Sequence, residues 1–416
     1  MRTMNTRIYG AVGCLLFLAL MAMSAPPAWA GDKGPVEAIF AETEMPEESL
    51  LDVGIQVFDP GIPEDVEKRN KMLEEGVFED LRKSEARYIP IQIKRTLQST
   101  GFWGAVRLVP AANSTDVMVT GTILKSHGKD LEIKVKVVDA LGKKWLEEKY
   151  KQEADIGVYA SDKARLQDPY QSVYNRIAND ILKKRKKLKD EYVEKIRTVS
   201  RLRFASELAP AAFGDYLEVD KKGRYKIERL PPVNDPMLER VSRIRERDYM
   251  FIDTLNEYYA DFYTRMDEPY DNWRAFSFEE QVALEKLRSQ ARLEKILGAA
   301  AIIGGIVSTA KGGRTGSRVG EVAVMGGMAA IMDGMAKSEE SNMHLETLRE
   351  LASSLDSEVA PMLLDVEGEV LRLTGSVETQ YATWRGLLRR IFAEETGLPV
   401  DPNAETVEIA KEKSER

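Results

Sequence analysis

Residues 116–138 read DVMVTGTILKSHGKDLEIKVKVV, and this stretch decides the fold of the first half of the chain. Apolar and polar residues alternate along positions 116–124 and again along 130–138, which is the pattern of a strand with one buried face. The turn at positions 126–129 is short enough to join neighbouring antiparallel strands. The stretch therefore predicts two paired strands of one sheet.

Further strands are predicted on both sides of this pair. Val53, Ile55 and Val57 alternate in the same way. Residues 105–109 and 144–150 are also short and β-like, and turn residues separate them from their neighbours. Dense turns between alternating runs favour antiparallel pairing.

Two helices interrupt the strands. Apolar residues recur at positions 89, 93 and 97, which is helical spacing, and Pro90 is expected near the first turn of that helix. Asp168 and Pro169 are typical of a second helix start. The order of strand, helix, several strands and helix predicts an α+β domain over residues 51–182, in which a small antiparallel-rich sheet carries helices on one face.

This domain resembles a known type of bacterial envelope domain. The similarity is carried by the strand at 53–58, by LQSTGFWGAVRLVP at 97–110, and by the strand pair at 116–124 and 131–140. Together these segments resemble the TolB amino-terminal, LpoB and CsgG type of domain, over residues 50–182. In that family the domain is a binding module, so the resemblance implies binding rather than catalysis here. The chain departs from the CsgG and LpoB pattern because it lacks a convincing lipidated cysteine.

The composition excludes several classes of protein. Of 416 residues, 43% are hydrophobic and 31% are charged, with one Cys and two His, so the chain is neither collagen-like nor disulfide-stapled. A formal charge of −8 disfavours a general nucleic-acid binder. No phosphate loop, nucleophile elbow or zinc-protease motif is present, and a catalytic triad would have to use His127 or His344. We expect no catalytic residue, cofactor, metal or small-molecule substrate; a hydrolase with two converging carboxylates is the remaining enzymatic alternative.

Residues 1–30 predict a secretory signal peptide. Arg2 and Arg7 precede an apolar run at positions 11–23, and the small residues Ala28 and Ala30 flank the cleavage motif. Cys14 offers a lipoprotein alternative, although the apolar run follows this residue instead of preceding it. We therefore expect a periplasmic protein that is associated with a membrane, with a linker at residues 31–50.

A basic segment and a β-hairpin are predicted to form a connector over residues 183–232. Positions 183–203 hold ten Lys or Arg against three acidic residues. The candidate patch consists of Lys183, Lys184, Arg185, Lys186, Lys187 and Lys189. It is either a solvated helix face or a surface for anionic headgroups or an acidic partner. Gly223 suits the left-handed position of the hairpin turn.

A mainly helical domain is predicted over residues 233–400, followed by a flexible tail at 401–416. Ser277 and Glu280 form a capping-box pattern that predicts a helix start. Small residues then recur at spacings of three and four in two successive runs. These seam positions are Gly298, Ala301, Gly305, Ser308 and Gly312, then Gly320, Ala323, Gly327, Ala330 and Gly334. Small residues allow close helix packing, so we predict a Gly/Ala-seamed helical hairpin at 293–336.

Three interpretations of this hairpin remain open on the sequence alone. It lies in the core of the helical domain, or it self-associates or enters a membrane part-way or as an oligomer, or it crosses the bilayer twice. Its charge-free runs are shorter than the ~17–25 residues that a span requires, which counts against the third interpretation. The whole pattern predicts a non-enzymatic interaction or scaffold protein of the cell envelope that binds envelope proteins or a membrane and can form a homo-oligomer. The alternative is an oligomeric, membrane-inserting component of a secretion or transport assembly.

Overall fold

The computed structural model describes residues 35–74, 77–110, 115–154, 159, 168–305, 350, 362–366, 369–373 and 376–398. The chain divides into a short unit, Met1–Val36, and a larger unit, Glu37–Arg416, which contains all of the elements below. The helices are α1 (Val66–Glu74), α2 (Glu79–Ser99), α3 (Gln171–Arg185), α4 (Asp190–Leu208), α5 (Pro210–Phe213), α6 (Pro236–Gly305) and α7 (Val377–Thr396). The strands are β1 (Val53–Gln56), β2 (Val106–Val109), β3 (Val117–Ser126), β4 (Asp130–Asp139), β5 (Lys144–Glu153), β6 (Leu217–Val219), β7 (Tyr225–Ile227), β8 (Met362–Val366) and β9 (Glu369–Leu373).

The main sheet has five strands in the order β2-β1-β3-β4-β5. Strands β3, β4 and β5 are antiparallel, as predicted. Strand β1 instead runs parallel to both β2 and β3, with Val53 opposite Val106 on one side and Val117 on the other. The two helices between β1 and β2 provide the long crossover that parallel neighbours need. The α+β class is confirmed, with a mixed sheet.

One face of the sheet carries the hydrophobic core. Helices α2 and α3 pack against each other and against the strands on this face. Along β4, Ile133, Val135 and Val137 are fully buried, whereas Lys134 and Lys136 between them are exposed. The period of two predicted from the sequence therefore separates a helix-covered face from a charged, open face.

Pro90 lies in the interior of α2 and not near its start. The helix begins at Glu79, so Pro90 removes an amide that would otherwise bond to the carbonyl of Ala86 four residues earlier. That carbonyl instead accepts a hydrogen bond from the backbone amide of Phe58, at 2.9 Å. The proline thus frees an acceptor that ties the end of β1 to α2.

Helix α6 is continuous from Pro236 to Gly305. Asp235 caps its start by accepting a hydrogen bond from the backbone amide of Met237 at 2.8 Å. The predicted helix start at Ser277 is therefore wrong. The Ser277 hydroxyl is buried inside the helix and accepts a hydrogen bond from the amide of Gly128 in the β3–β4 turn, at 3.3 Å.

The first half of α6 lies along the outer edge of β2. The side-chain amide of Asn256 bonds to both backbone groups of Leu108, accepting from its N–H and donating to its carbonyl at 2.8 Å each. Arg107 on the same strand makes a bidentate ion pair with Asp253, at 2.7 and 3.0 Å. Asn256 therefore satisfies edge groups that another strand would otherwise pair with.

Four short strands and helix α7 also lie in the second half of the chain. Strands β6 and β7 form the predicted hairpin, and Gly223 in its turn has φ +72°, where glycine is unstrained. Strands β8 and β9 also pair antiparallel, with Met362 opposite Leu373 and Val366 opposite Glu369. Helix α7 packs on α6, where Phe251 and Trp384 stack with their ring centroids 5.1 Å apart.

The close approach of the β3–β4 turn to α6 predicts that Gly128→Ala destabilises the fold. A Cβ at this position would lie 1.8 Å from the Arg274 carbonyl oxygen and 2.6 Å from the Phe278 nitrogen, and both of these atoms are backbone. We expect the free energy of unfolding to fall by about 2–4 kcal/mol in urea denaturation followed by tryptophan fluorescence.

Gly214→Ala is the matched control, because a Cβ there meets no heavy atom within 4 Å. We expect this variant to unfold within about 1 kcal/mol of the wild type. Equal stability of the two variants would contradict the tight contact between the turn and the helix.

Candidate interaction surface

The predicted basic patch spans the end of α3 and the turn into α4. Its five lysines are exposed. Arg185 departs from this prediction because its side chain turns inward, is only 9% exposed, and donates a hydrogen bond to the Ser49 carbonyl at 2.6 Å. Burial also lowers the pKa of Arg185 from its usual value. Arg185 therefore anchors residues before β1 and does not belong to the exposed surface.

Part of the patch lines a groove between α3 and β5, with a volume of about 380 Å³. We call this the basic groove. Its wall on the helix side carries cations from α3 and the following turn, and its wall on the strand side carries residues of β5. The lining residues are Leu146, Glu148, Lys149, Tyr150, Arg176, Asp180, Lys183, Lys184 and Lys187. The sequence identified Lys183, Lys184 and Lys187, but gave no sign that Lys149 and Arg176 would join them, since the chain positions are far apart.

Five cationic and two acidic residues line the groove. The Lys149 side chain lies on the open face of the sheet opposite Lys134 and pairs with Glu132 at 3.8 Å, so the four cations of the helix wall make the groove electropositive. The carboxylate of Asp180 is already engaged, since the Tyr150 hydroxyl donates to it at 3.1 Å. Among the described residues, Lys183, Lys184 and Lys187 have no acidic partner within ion-pair distance. Lysines in the last turn of a helix interact favourably with the negative end of the helix dipole. That interaction explains why lysines occur there, but it does not require them to line a groove.

Beside the groove, β5 forms an edge of the sheet. It pairs with β4 from Lys144 to Glu153 on one side, and no described strand pairs with its other side. The two edges of the sheet thus differ, since side chains of α6 cover β2. A concave cationic surface next to an unpaired strand edge can bind an extended anionic chain by charge and by backbone hydrogen bonds.

A buried polar cluster fixes α6 against the module that carries the groove. Arg274, 1% exposed, donates to Asp168 at 2.9 Å and pairs with Asp271 one turn earlier on its own helix. Its guanidinium lies 4.3 Å from the ring centroid of Tyr270. Burial by itself lowers the pKa of Arg274, but Asp168 and the neighbouring tyrosines hold that pKa well above its usual value.

Helix α2 supplies the other side of this cluster. The Tyr88 hydroxyl donates to Asp267 at 2.9 Å, and the Gln92 amide donates to the Tyr263 hydroxyl at 2.9 Å. Rings of Tyr88 and Tyr263 stack with centroids 4.8 Å apart. Both rings are buried, so these tyrosines pack in the core between α2 and α6.

Glu85 extends the cluster to the β3–β4 turn. Its carboxylate accepts hydrogen bonds from Ser126 and from Tyr270, at 2.7 Å each, and Arg82 lies 3.3 Å away as its ion partner. The turn, α2 and α6 therefore share one buried carboxylate. The sequence signal for such a site is a charged residue on the apolar face of a predicted helix, as Glu85 is on α2.

His127 occupies the same turn in a neutral form. Its Nδ1 accepts a hydrogen bond from the amide of Asp130 at 3.3 Å, which requires that this nitrogen carry no proton. Burial, with a smaller contribution from the charge of Lys125, lowers the His127 pKa to about 4, although the Asp130 carboxylate acts in the opposite direction.

The glycine seam is described only in part. Gly298, Ala301 and Gly305 lie in the final turns of α6. Ser308, Gly312, Gly320, Ala323, Gly327, Ala330 and Gly334 lie outside the described residues, so the paired seam stays a prediction. No helix in the described ranges has both the length and the apolar character that a bilayer crossing requires. Likewise, the described residues bring together no three His, Cys, Asp or Glu side chains that could hold a metal ion.

Comparison of the chain with protein-family models, with curated proteins and with solved structures finds no match in any of the three. The resemblance to the TolB, LpoB and CsgG type of domain therefore remains a prediction from the sequence.

The environment of His127 predicts a loss of stability in mild acid. The unfolded chain takes up a proton near pH 6.5, whereas the folded chain resists protonation down to about pH 4. As the pH falls from about 6.5 towards 4, proton uptake favours the unfolded state, and the free energy of unfolding decreases. The free energy of unfolding should drop by about 2 kcal/mol from pH 7 to pH 5 through this residue alone.

His127→Asn keeps an acceptor near the Nδ1 position and removes the titration. The stability of this variant should depend less steeply on pH between about pH 7 and pH 5 in urea denaturation series. Parallel pH profiles for the variant and the wild type would show that His127 is not the responsible group.

Proposed function

We propose that this protein is a non-enzymatic, membrane-associated scaffold of the bacterial cell envelope, whose α+β module binds an acidic partner protein through the basic groove. The observation that carries the proposal is that Arg176, Lys183, Lys184 and Lys187 line one concave surface. The positively charged side chains of the groove repel one another. A negatively charged ligand relieves this repulsion, so its binding is favourable.

The rest of the structure supports this role by holding the groove rigid. Both walls are regular elements: α3 is buried along Val173, Ile177 and Ile181, and β5 is paired along its whole length. A binding surface built on a helix and a strand needs little ordering when its ligand arrives. The signal-peptide pattern supports an envelope location for this interaction.

Charge reversal in the groove tests the binding role. We expect Lys183→Glu/Lys184→Glu to weaken binding of a fluorescein-labelled peptide of alternating Glu residues by at least about tenfold at low salt, measured by fluorescence anisotropy. Wild-type affinity should also fall as salt is raised, because the contacts are exposed ion pairs.

Lys221→Glu/Lys222→Glu provides the matched control. It makes the same change in net charge on the exposed β6–β7 turn. This control should bind the peptide within about twofold of wild type at the same salt concentration. If the control loses as much affinity as the groove variant, binding depends on overall charge and the groove has no special role.

Cell fractionation tests the envelope assignment. When cells of the native host are fractionated, we expect the protein in the periplasmic and membrane fractions. Carbonate or detergent should release the membrane-bound part. Recovery in the cytosol, with the first 30 residues still attached, would contradict both the predicted signal peptide and the proposed location.

A further inference from the structure

We infer that β5 is the docking edge for an extended acidic segment of the partner protein, which joins the five-stranded sheet as a sixth strand with its carboxylates over the basic groove. This inference rests on the proposed function and specifies how the partner is held. It commits to a protein ligand recognised through its backbone as well as through its charge.

The backbone of β5 is the first argument. The strand is ten residues long and pairs with β4 alone among the described strands, so alternate backbone groups along its outer side have no strand partner. The Lys151 carbonyl shows where this side faces, because the Arg176 guanidinium of the groove donates to it at 3.4 Å. The outer backbone groups of β5 and the cations of α3 therefore open onto the same space.

The spacing of the cations is the second argument. From Arg176 to Lys184 the helix advances eight residues, or about 12 Å. Alternate side chains of an extended chain on one face lie about 6.8 Å apart, so positions i and i+4 are about 13–14 Å apart. Arg176 contacts the Lys151 carbonyl and Asp180 accepts from Tyr150, so the row of cations lies alongside β5 and an added strand can place acidic residues at i, i+2 and i+4 along it.

The chemistry of the edge favours an acidic strand over other strands. Lys149, Lys151, Glu148 and Glu153 are exposed on β5, and charged side chains on an edge discourage pairing between identical edges. A strand whose carboxylates face the groove gains ion pairs with Arg176, Lys183, Lys184 and Lys187. The cations of the groove therefore favour a partner of opposite charge.

The same observations count against a lipid surface as the ligand. Glu148 and Asp180 lie within the groove and would face an anionic bilayer. Headgroups also provide no row of backbone donors and acceptors that could satisfy the edge of β5. A narrow chain can thread between the acidic side chains, whereas a broad flat surface cannot.

Methylation of alternate backbone amides in the probe peptide tests strand addition without changing the protein. The probe is a labelled peptide of about nine residues, with Glu at alternate positions and Thr or Val between them. One derivative is N-methylated at the Glu residues, and a second at the intervening residues. In strand addition only one set of amides faces β5, so one derivative should lose at least about tenfold in affinity and the other should remain within about twofold.

The outcomes separate this inference from the proposed function. If Lys183→Glu/Lys184→Glu weakens binding but both methylated peptides bind equally, an acidic partner is bound by charge alone and strand addition is overturned. If the charge reversal has no effect on any peptide, the proposed function itself fails. If vesicles of phosphatidylglycerol displace the peptide while phosphatidylcholine vesicles do not, the groove binds membranes and the inference is likewise overturned.

Discussion

The burial of Arg274 between α6 and the α+β module is the constraint on which the rest of the structure depends. A guanidinium that is 1% exposed has to be neutralised, and Asp168 at the start of α3 and Asp271 on α6 do so. Asp168 also directs its other oxygen to the amide of Tyr170, just before α3 begins. The position of α3, and with it the helix wall of the basic groove, is therefore linked to the position of α6.

A buried polar interface of this kind specifies geometry more strictly than an apolar one. Hydrophobic surfaces tolerate small shifts, whereas Ser126 and Tyr270 both donate to the same carboxylate oxygen of Glu85, so the turn and α6 must each lie within hydrogen-bond distance of that atom. The backbone contact at Gly128 adds a steric limit, since only glycine allows α6 to approach the turn so closely. A groove with rigid walls is the result, and such a groove suits recognition of a defined ligand better than a pliable surface does.

The sequence predicted the elements better than it predicted how they meet. Alternation predicted β3 and β4, because the period of two reports directly which face of a strand is buried. The parallel orientation of β1 was missed, since alternation carries no information about strand direction. Pro90 was assigned to a helix start because local rules ignore a distant donor such as the amide of Phe58, which satisfies the carbonyl that a proline inside the helix leaves free. Ser277 was misassigned for the same reason, since its true partner, Gly128, lies far away in the chain.

For the groove, the sequence showed half of the site. The lysines after position 182 form a continuous run and were visible, but Lys149 and Arg176 join them only because α3 packs across β5. Arg185 belongs to the same run and yet is buried, because a helix turns every residue by about 100° and one member of any such run must face inward. The run of lysines in the sequence indicated a positively charged surface. The concave shape of the groove could be seen only in the tertiary structure.

Asn256 has a consequence for how copies of this chain can assemble. Because its amide bonds to both backbone groups of Leu108, and α6 lies along β2, the outer side of β5 is the one open edge among the described strands of the main sheet. Head-to-tail stacking of sheets into a fibre requires two complementary open sides on every copy. With one side blocked, any pairing of identical sheets would be a symmetric dimer that ends growth at two, so the polymerisation hazard carried by every open sheet is removed by one side-chain amide.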